Sequence, residues 1–207
     1  MATSGTDESG LIEEEFDGRV ARRERNRDAV VDAIMVLIQA GEAQPSMADV
    51  ARLAGVSERS IFRHFETRDA LFAAVIERQL EIVSGLLHEV PTTGPLAGRI
   101  EALIEERARL FEEITPMRRS ALQFAQVSDQ VAERLADSRR WLRDELEAVF
   151  ARELGRRAPV DRRDLLAAVS MTTSWEAWNL LRTEEGCSVA RTRRIMARTL
   201  NRQLAGS

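Results

Sequence analysis

The chain has 207 residues, which suffice for one large domain or two small ones around a substantial core. Its 44% hydrophobic and 31% charged residues are typical of a soluble globular protein, and no apolar run approaches the ~20 residues of a membrane span. The net charge of −4 argues against a polyanion bound over the whole surface.

Cysteine and histidine are scarce. The single cysteine, Cys187, allows no internal disulfide, which fits a reducing cytoplasm; an oxidant-sensing role and an inert role both stay open for it. Together with His64 and His88 it is too few for a typical structural zinc cluster. We therefore predict a cytoplasmic protein with no metal and no cofactor.

Charge is unevenly spread over the first 27 residues. Residues 1–18 hold six acidic and no basic side chains, unlike the basic-then-apolar order of a signal peptide. We predict a disordered acidic arm over residues 1–20. Residues 19–27 then hold five arginines and one glutamate.

A helical pattern begins near Arg22 and is expected to end at Gly41. Its apolar residues share one face at the spacing i, i+4, i+7 and i+8: Val30, Ile34, Leu37 and Ile38.

Two short helical patterns follow around one glycine. Ser46 opens a capping box, Gly55 stands where a left-handed turn residue is needed, and Ser57 is a second N-cap. Two short helices with a glycine-containing turn are the sequence form of a helix-turn-helix. The small core is expected to consist of Val50, Leu53, Val56, Ile61 and Phe65.

The second short helix then has a polar outer face. Because Ile61 and Phe65 must face inward, Arg59, Ser60 and Arg63 face outward. Arginine and serine at the start of such a helix can reach base edges in the DNA major groove. The alternative is a solvated face on an ordinary helical hairpin, and the residues alone leave both open.

The rest of the chain also reads as helical. Thr67 caps a long helix that ends near His88, and residues 91–98 form a linker. Thr115 and Pro116 predict the start of a new short helix. No period-two strand pattern survives, so we predict an all-α fold of about nine helices. The last predicted helices are 131–149, 161–182 and 188–204.

Residues 27–75 resemble the DNA-binding domain of the TetR (tetracycline-repressor) family of bacterial transcription regulators. The resemblance implies a helix-turn-helix domain at 21–70 and a ligand-binding and dimerisation domain at 71–207. The residues that carry it are Ala33, Gly41, Ser46, Met47, Val50, Ala51, Ala54, Gly55, Val56, Ser57, Ile61, Phe62, His64, Phe65, Arg68, Asp69 and Leu71.

The resemblance also implies roles in binding a double-stranded DNA operator. Base-reading or groove-facing positions are Arg59, Ser60 and Arg63, and phosphate-anchoring positions are Ser46, Met47, His64 and Arg68. Phe62 stands where the family usually has tyrosine, so a hydroxyl that would bind phosphate is missing. The arginines of residues 19–27 are a hypothetical replacement for that contact.

The family further implies a homodimer through the last two helices, 161–182 and 188–204, and an effector bound in the larger domain. A core or dimer-interface role competes with a pocket role for each aromatic residue. The candidate pocket residues are His88, Phe111, Met117, Phe124, Trp141, Met171, Trp175 and Trp178.

We predict a dimeric repressor released from a palindromic operator by a small, largely apolar effector. An effector-independent DNA-binding protein or an activator stays open. An enzyme is disfavoured, because the sequence holds no catalytic triad pattern and no glycine-rich phosphate loop.

Overall fold

The computed structural model describes residues 8–205, with side chains from residue 20 onward, and this part of the chain is helical without a strand. The predicted all-α fold is confirmed, with nine helices between residues 8 and 205 when the single turn α7 is counted with α6. The helices are α1 Glu8–Gln39, α2 Met47–Ala54, α3 Glu58–His64, α4 Arg68–Ser84, α5 Leu96–Phe124, α6 Asp129–Val149, α7 Ala151–Leu154, α8 Pro159–Thr172, α9 Trp175–Asn179 and α10 Val189–Ala205.

The chain divides into two compact units between Arg78 and Gln79, inside α4. The N-terminal unit thus includes the first part of α4, beyond the boundary expected at residue 70. Arg78 explains why this part belongs there: its guanidinium lies 2.9 Å from a carboxylate oxygen of Asp28 and 3.4 Å from one of Asp32, both on α1.

Helix α1 begins at Glu8, so residues 8–20 are helical where a disordered arm was expected. Residues 1–7 of that predicted arm lie outside the described residues. The physical reason is local: residues 13–15 are three consecutive glutamates, which have good helix propensity, and no proline interrupts the run to Gln39. The arginines of residues 19–27 are therefore carried on a helix.

The core of the helix-turn-helix differs from expectation at two positions on α2. Leu53 is 46% exposed, whereas Met47 is 8% exposed. Met47, Val50 and Ala51 follow the spacing i, i+3 and i+4, and together they form the buried face of this short helix. Leu53 lies outside that face. The predicted inward positions Ile61 and Phe65 on α3 are both buried.

The C-terminal unit has one continuous apolar core. Phe111 and Trp178 pack in it with ring centroids 6.1 Å apart. A buried ion pair borders this core, where Arg99 on α5 reaches Glu153 on α7 at 2.6 Å. Burial alone would raise the pKa of Glu153, but the hydrogen bonds and charge of Arg99 outweigh it and leave that pKa below its usual value.

The predicted helix start at Pro116 is wrong, because α5 continues through this residue. Proline inside a helix leaves a carbonyl of the preceding turn without its usual N–H donor. For Pro116 that carbonyl belongs to Glu112. One residue earlier the Thr115 hydroxyl donates to the Phe111 carbonyl, and Trp175 Nε1 of α9 donates to Thr115 Oγ1 at 3.0 Å. Tertiary contacts thus support a helix that the local sequence would interrupt.

The predicted helix 161–182 is interrupted after Thr172. The Thr173 hydroxyl donates to the Val169 carbonyl, and Ser174 caps α9 by accepting from the Ala177 N–H at 3.1 Å. Such side-chain hydrogen bonds compete with the helical ladder. After α9 the chain continues as a π-helical turn, Leu180–Glu184.

Candidate functional site

Local sequence fixes the position of α3, the short helix with the arginine-bearing face. Gly55 adopts φ 67°, a left-handed conformation that favours glycine, and ends α2. The Ser57 hydroxyl then accepts from the Ser60 N–H at 3.2 Å and caps α3. Ile61 and Phe65 bury the inner face of this turn. The outer face is thereby held at a defined orientation within the N-terminal unit.

The outer face of α3 has the expected composition. Arg59 and Arg63 are exposed, and neither makes an ion pair within the described part of the chain. Ser60 is half-buried, and its hydroxyl lies 3.0 Å from that of Ser57. Phe62 is 53% exposed, and an exposed phenyl ring on this face can contact a thymine methyl group. Two free guanidinium groups one helical turn apart can therefore meet the edges of neighbouring bases.

A groove of about 600 Å³ joins this face to α1. Its α3 side carries Ser60, Arg63 and His64, and its α1 side carries Arg22 and Arg23. Asn26 completes the α1 side. Positions 19, 22, 23 and 26 follow the spacing i, i+3, i+4 and i+7, so helical periodicity was a signal for this surface. The sequence prediction did not include Asn26, because it considered only the arginines of residues 19–27.

His64 lies against this basic surface. Burial lowers the pKa of its imidazole, and the charges of Arg63, Arg23 and Arg27 lower it further. Both ring nitrogens are buried without a hydrogen-bond partner among the described residues. A neutral imidazole in this position can accept a proton when an anion approaches.

The remaining predicted DNA contacts lie at helix ends. Ser46 caps α2 by accepting from the Asp49 N–H at 3.1 Å, and Arg68 is exposed at the start of α4. The Met47 side chain is buried, so only its backbone N–H is available at the end of α2. Helix N-terminal N–H groups are suited to phosphate oxygens.

Comparison with known proteins shows what the N-terminal part of the chain is similar to. Residues 30–75 match the profile of bacterial regulatory proteins of the tetR family. Over 88 residues the chain is 31% identical to the HTH-type transcriptional activator FasR of Mycolicibacterium smegmatis, covering 42% of this chain and 40% of that protein. It is 38% identical over 79 residues to an uncharacterised HTH-type transcriptional regulator of Mycobacterium tuberculosis. This match covers 36% of this chain and 40% of that protein.

The helix-turn-helix of this chain is that of the tetR family. The matched segment contains the helix-turn-helix described above, and the chain spans about two fifths of the length of the curated relatives that it matches. The similarity in fold covers more of the chain than the similarity in sequence. A transcriptional regulator from Rhodococcus sp. Rha1 superposes with a TM-score of 0.63 and 21% identity, over 89% of this chain and 96% of that one.

The eight candidate effector-pocket residues do not meet in one of the cavities described below. Phe111 and Trp178 are core residues, whereas Trp141 is 48% exposed on α6. Met117 is buried and Phe124 is half-buried at the end of α5. His88 lines a different cavity from Met171 and Trp175. Aromatic content alone was therefore a poor guide, because core packing uses the same residue types.

The cavities in the described part of the C-terminal unit include the following three. One of about 540 Å³ is bordered by His88, Glu106 and Arg109, and one of about 490 Å³ lies between α5 and α10. The third, of about 290 Å³, is here called the Arg118 cavity. It is lined by Arg118, Arg139, Leu142, Arg143, Leu146, Ser170, Met171, Thr173, Ser174, Trp175 and Glu176.

No helix in the described residues is long and apolar enough to cross a membrane. Cys187 is 3% exposed, and its thiol lies 3.8 Å from the Glu185 carbonyl oxygen. Its burial shields the thiol from solvent.

Proposed function

We propose that this TetR-family regulator acts in the cytoplasm as a homodimeric repressor that binds a palindromic operator and is released by a small effector. The observation that carries the proposal is the capped α3 helix, which presents Arg59, Ser60 and Arg63 outward beside the arginines of α1. Bidentate arginine contacts to guanine specify sequence, and contacts to phosphates position the protein.

A dimer is supported by the surface of the C-terminal unit. Val160 and Met171 on α8 are 58% and 67% exposed, and Ala167 between them is also exposed. These three residues, here called the apolar stripe of α8, share one face with the exposed Arg163 and Asp164. Such a face is suited to a self-complementary contact with a second copy. Two recognition helices held about one DNA turn apart, ~34 Å, read a palindrome that one helix cannot.

Effector release is supported by the cavities of the C-terminal unit, which accommodate a small molecule. Such a molecule shifts the protein only if it binds the DNA-free state more tightly than the DNA-bound state. Activation is the second candidate function, because one matched relative is named a transcriptional activator. Transcription of the target gene in cells with and without the protein separates the two.

The test compares two arginines in a mobility-shift series against DNA flanking the protein's own gene, at several salt concentrations. Arg63→Ala should weaken the binding free energy for the preferred sequence by about 1–3 kcal/mol, because a base contact is lost. It should also relax the base preference at one position of the site. Arg23→Ala should weaken binding to all sequences alike and reduce the salt slope by about 1, because a phosphate contact is lost.

Arg140→Ala is the matched control, since Arg140 is an exposed arginine on α6 of the other unit. It should leave both affinity and salt slope unchanged. Absence of any sequence-specific complex with the unsubstituted dimer would contradict the regulator proposal. Equal effects of Arg63→Ala on all sequences would contradict the base-reading role.

A further inference from the structure

We propose that the Arg118 cavity binds a small carboxylate with an apolar body, and that this is the chemical class of the effector. That the bound carboxylate is the effector rests on the proposed function. The binding site itself is argued from the geometry of the cavity. At about 290 Å³ the cavity is at the lower end of the ~300–1,000 Å³ of small-molecule sites.

The charge of the cavity favours an anion. Arg118, Arg139 and Arg143 line it, against one carboxylate, Glu176. Arg118 lies 3.2 Å from Glu176 Oε1 and Arg139 lies 3.9 Å from the same oxygen, so this one carboxylate is shared. Arg143 makes no ion pair among the residues that the structure describes. The lining therefore has positive charge in excess.

Arg118 is a buried donor with unused capacity. Its side chain is 5% exposed. Among the described residues, Nη1 donates to Ser138 Oγ and Nη2 to Glu176 Oε1, each at 3.2 Å. The Nε–H is buried without an acceptor in the described part of the chain. A guanidinium has five N–H donors in a planar fork that matches a carboxylate. An unsatisfied buried donor is costly, and an anionic ligand would satisfy it.

A second unsatisfied group lines the same cavity from α8. Ser170 Oγ is buried and has no hydrogen-bond partner within residues 8–205. The neighbouring hydroxyls differ, because Thr173 donates to the Val169 carbonyl and Ser174 to the Met171 carbonyl, both at 2.9 Å. Two residues that line the cavity, Arg118 on α5 and Ser170 on α8, thus each have a polar atom without a partner in the described chain. A carboxylate has two oxygens with which to accept from both.

The site is also held in place before any ligand arrives. The Arg118 guanidinium lies 5.6 Å from the centre of the Trp175 ring, and Trp175 Nε1 donates to Thr115 Oγ1 at 3.0 Å. Trp175, Leu142 and Leu146 supply apolar surface for the body of the ligand. A fixed charged group beside an apolar wall recognises a carboxylate on an aromatic or short aliphatic group.

The experiment measures binding by titration calorimetry at pH 7.5 with benzoate, phenylacetate and 2-naphthoate, each beside its primary amide. We expect at least one carboxylate to bind at least tenfold more tightly than its amide. Arg143→Gln and Ser170→Ala should each lower the affinity for that carboxylate at least fivefold. Arg140→Gln, an exposed arginine outside the cavity, should not change its affinity.

Ser170→Ala also separates a loss of binding from misfolding. The substitution removes an unsatisfied hydroxyl, so the Tm of the ligand-free protein should stay unchanged or rise. The inference would be overturned if the amides bound as tightly as the carboxylates, or if no compound of either series bound. It would also be overturned if neither variant changed the affinity for the carboxylate. Operator binding by the same samples reports separately on the proposed function. Operator release by neutral compounds alone would keep that function and overturn the carboxylate site.

Discussion

His64 shows how one residue's environment can link DNA binding to protons. Its imidazole is buried beside three arginines, and burial together with their charge lowers its pKa. In the free protein the unfolded state therefore binds more protons than the folded state. The stability that neutral His64 contributes is present above its unfolded pKa of about 6.5 and is lost as the pH falls below that value.

A DNA phosphate near His64 should reverse this preference. Because an anion favours the protonated imidazole, DNA binding should take up a proton, and affinity should rise about 3- to 10-fold from pH 8 to pH 6. His64→Gln should remove most of this rise in a fluorescence-anisotropy titration at constant ionic strength. His88→Gln, which changes the second of the two histidines, is the control. Parallel pH profiles for the unsubstituted protein and His64→Gln would show that His64 meets no phosphate.

At the scale of elements, the turn between α2 and α3 sets the direction of the reading helix. Gly55 has φ 67° and no heavy atom within 4 Å of an added Cβ, so conformation rather than space requires glycine there. Gly98 in the first turn of α5 is equally open but has helical geometry. The same substitution should therefore have opposite effects at these two glycines.

Gly55→Ala should lower the free energy of unfolding by about 1 kcal/mol, because alanine is strained in the left-handed region. Gly98→Ala should raise it by about 0.5–1 kcal/mol through helix propensity and reduced chain entropy. Urea unfolding followed by far-UV circular dichroism measures both. Gly55→Asn should recover part of the loss, since asparagine tolerates this conformation. Equal effects of alanine at both positions would refute the argument.

At the scale of the whole molecule, the proposed function depends on a second copy of the chain. We expect a mass near twice the 23.3 kDa of one chain in sedimentation equilibrium. Ala167→Glu places a charge in the middle of the exposed apolar stripe of α8 and should shift the protein toward monomer, with at least a tenfold loss of operator affinity.

Ala148→Glu on the exposed side of α6 is the matched control for this substitution. It should keep the dimer and its affinity. A dimer that survives Ala167→Glu unchanged would place the subunit contact elsewhere on the molecule.

Much of the DNA-reading unit follows from sequence alone, because its rules act within about four residues. The two serine caps, the glycine turn and the inward pair Ile61 and Phe65 are all present as expected. The caps and the turn need no partner from elsewhere in the chain, since they satisfy their own backbone groups, and the spacing of Ile61 and Phe65 follows from the period of the helix. The all-α fold followed in the same way from helical periodicity.

Tertiary structure decided what depends on distant partners. Met47 is buried and Leu53 is exposed because burial on a short helix is set by the helices that pack on it. Pro116 stays helical beside Trp175, against its local preference. The Arg118 cavity joins residues from α5, α6, α8 and α9 that no sequence spacing relates. Sequence thus determined which groups face outward on α3, and packing determined which groups were left without partners in the interior.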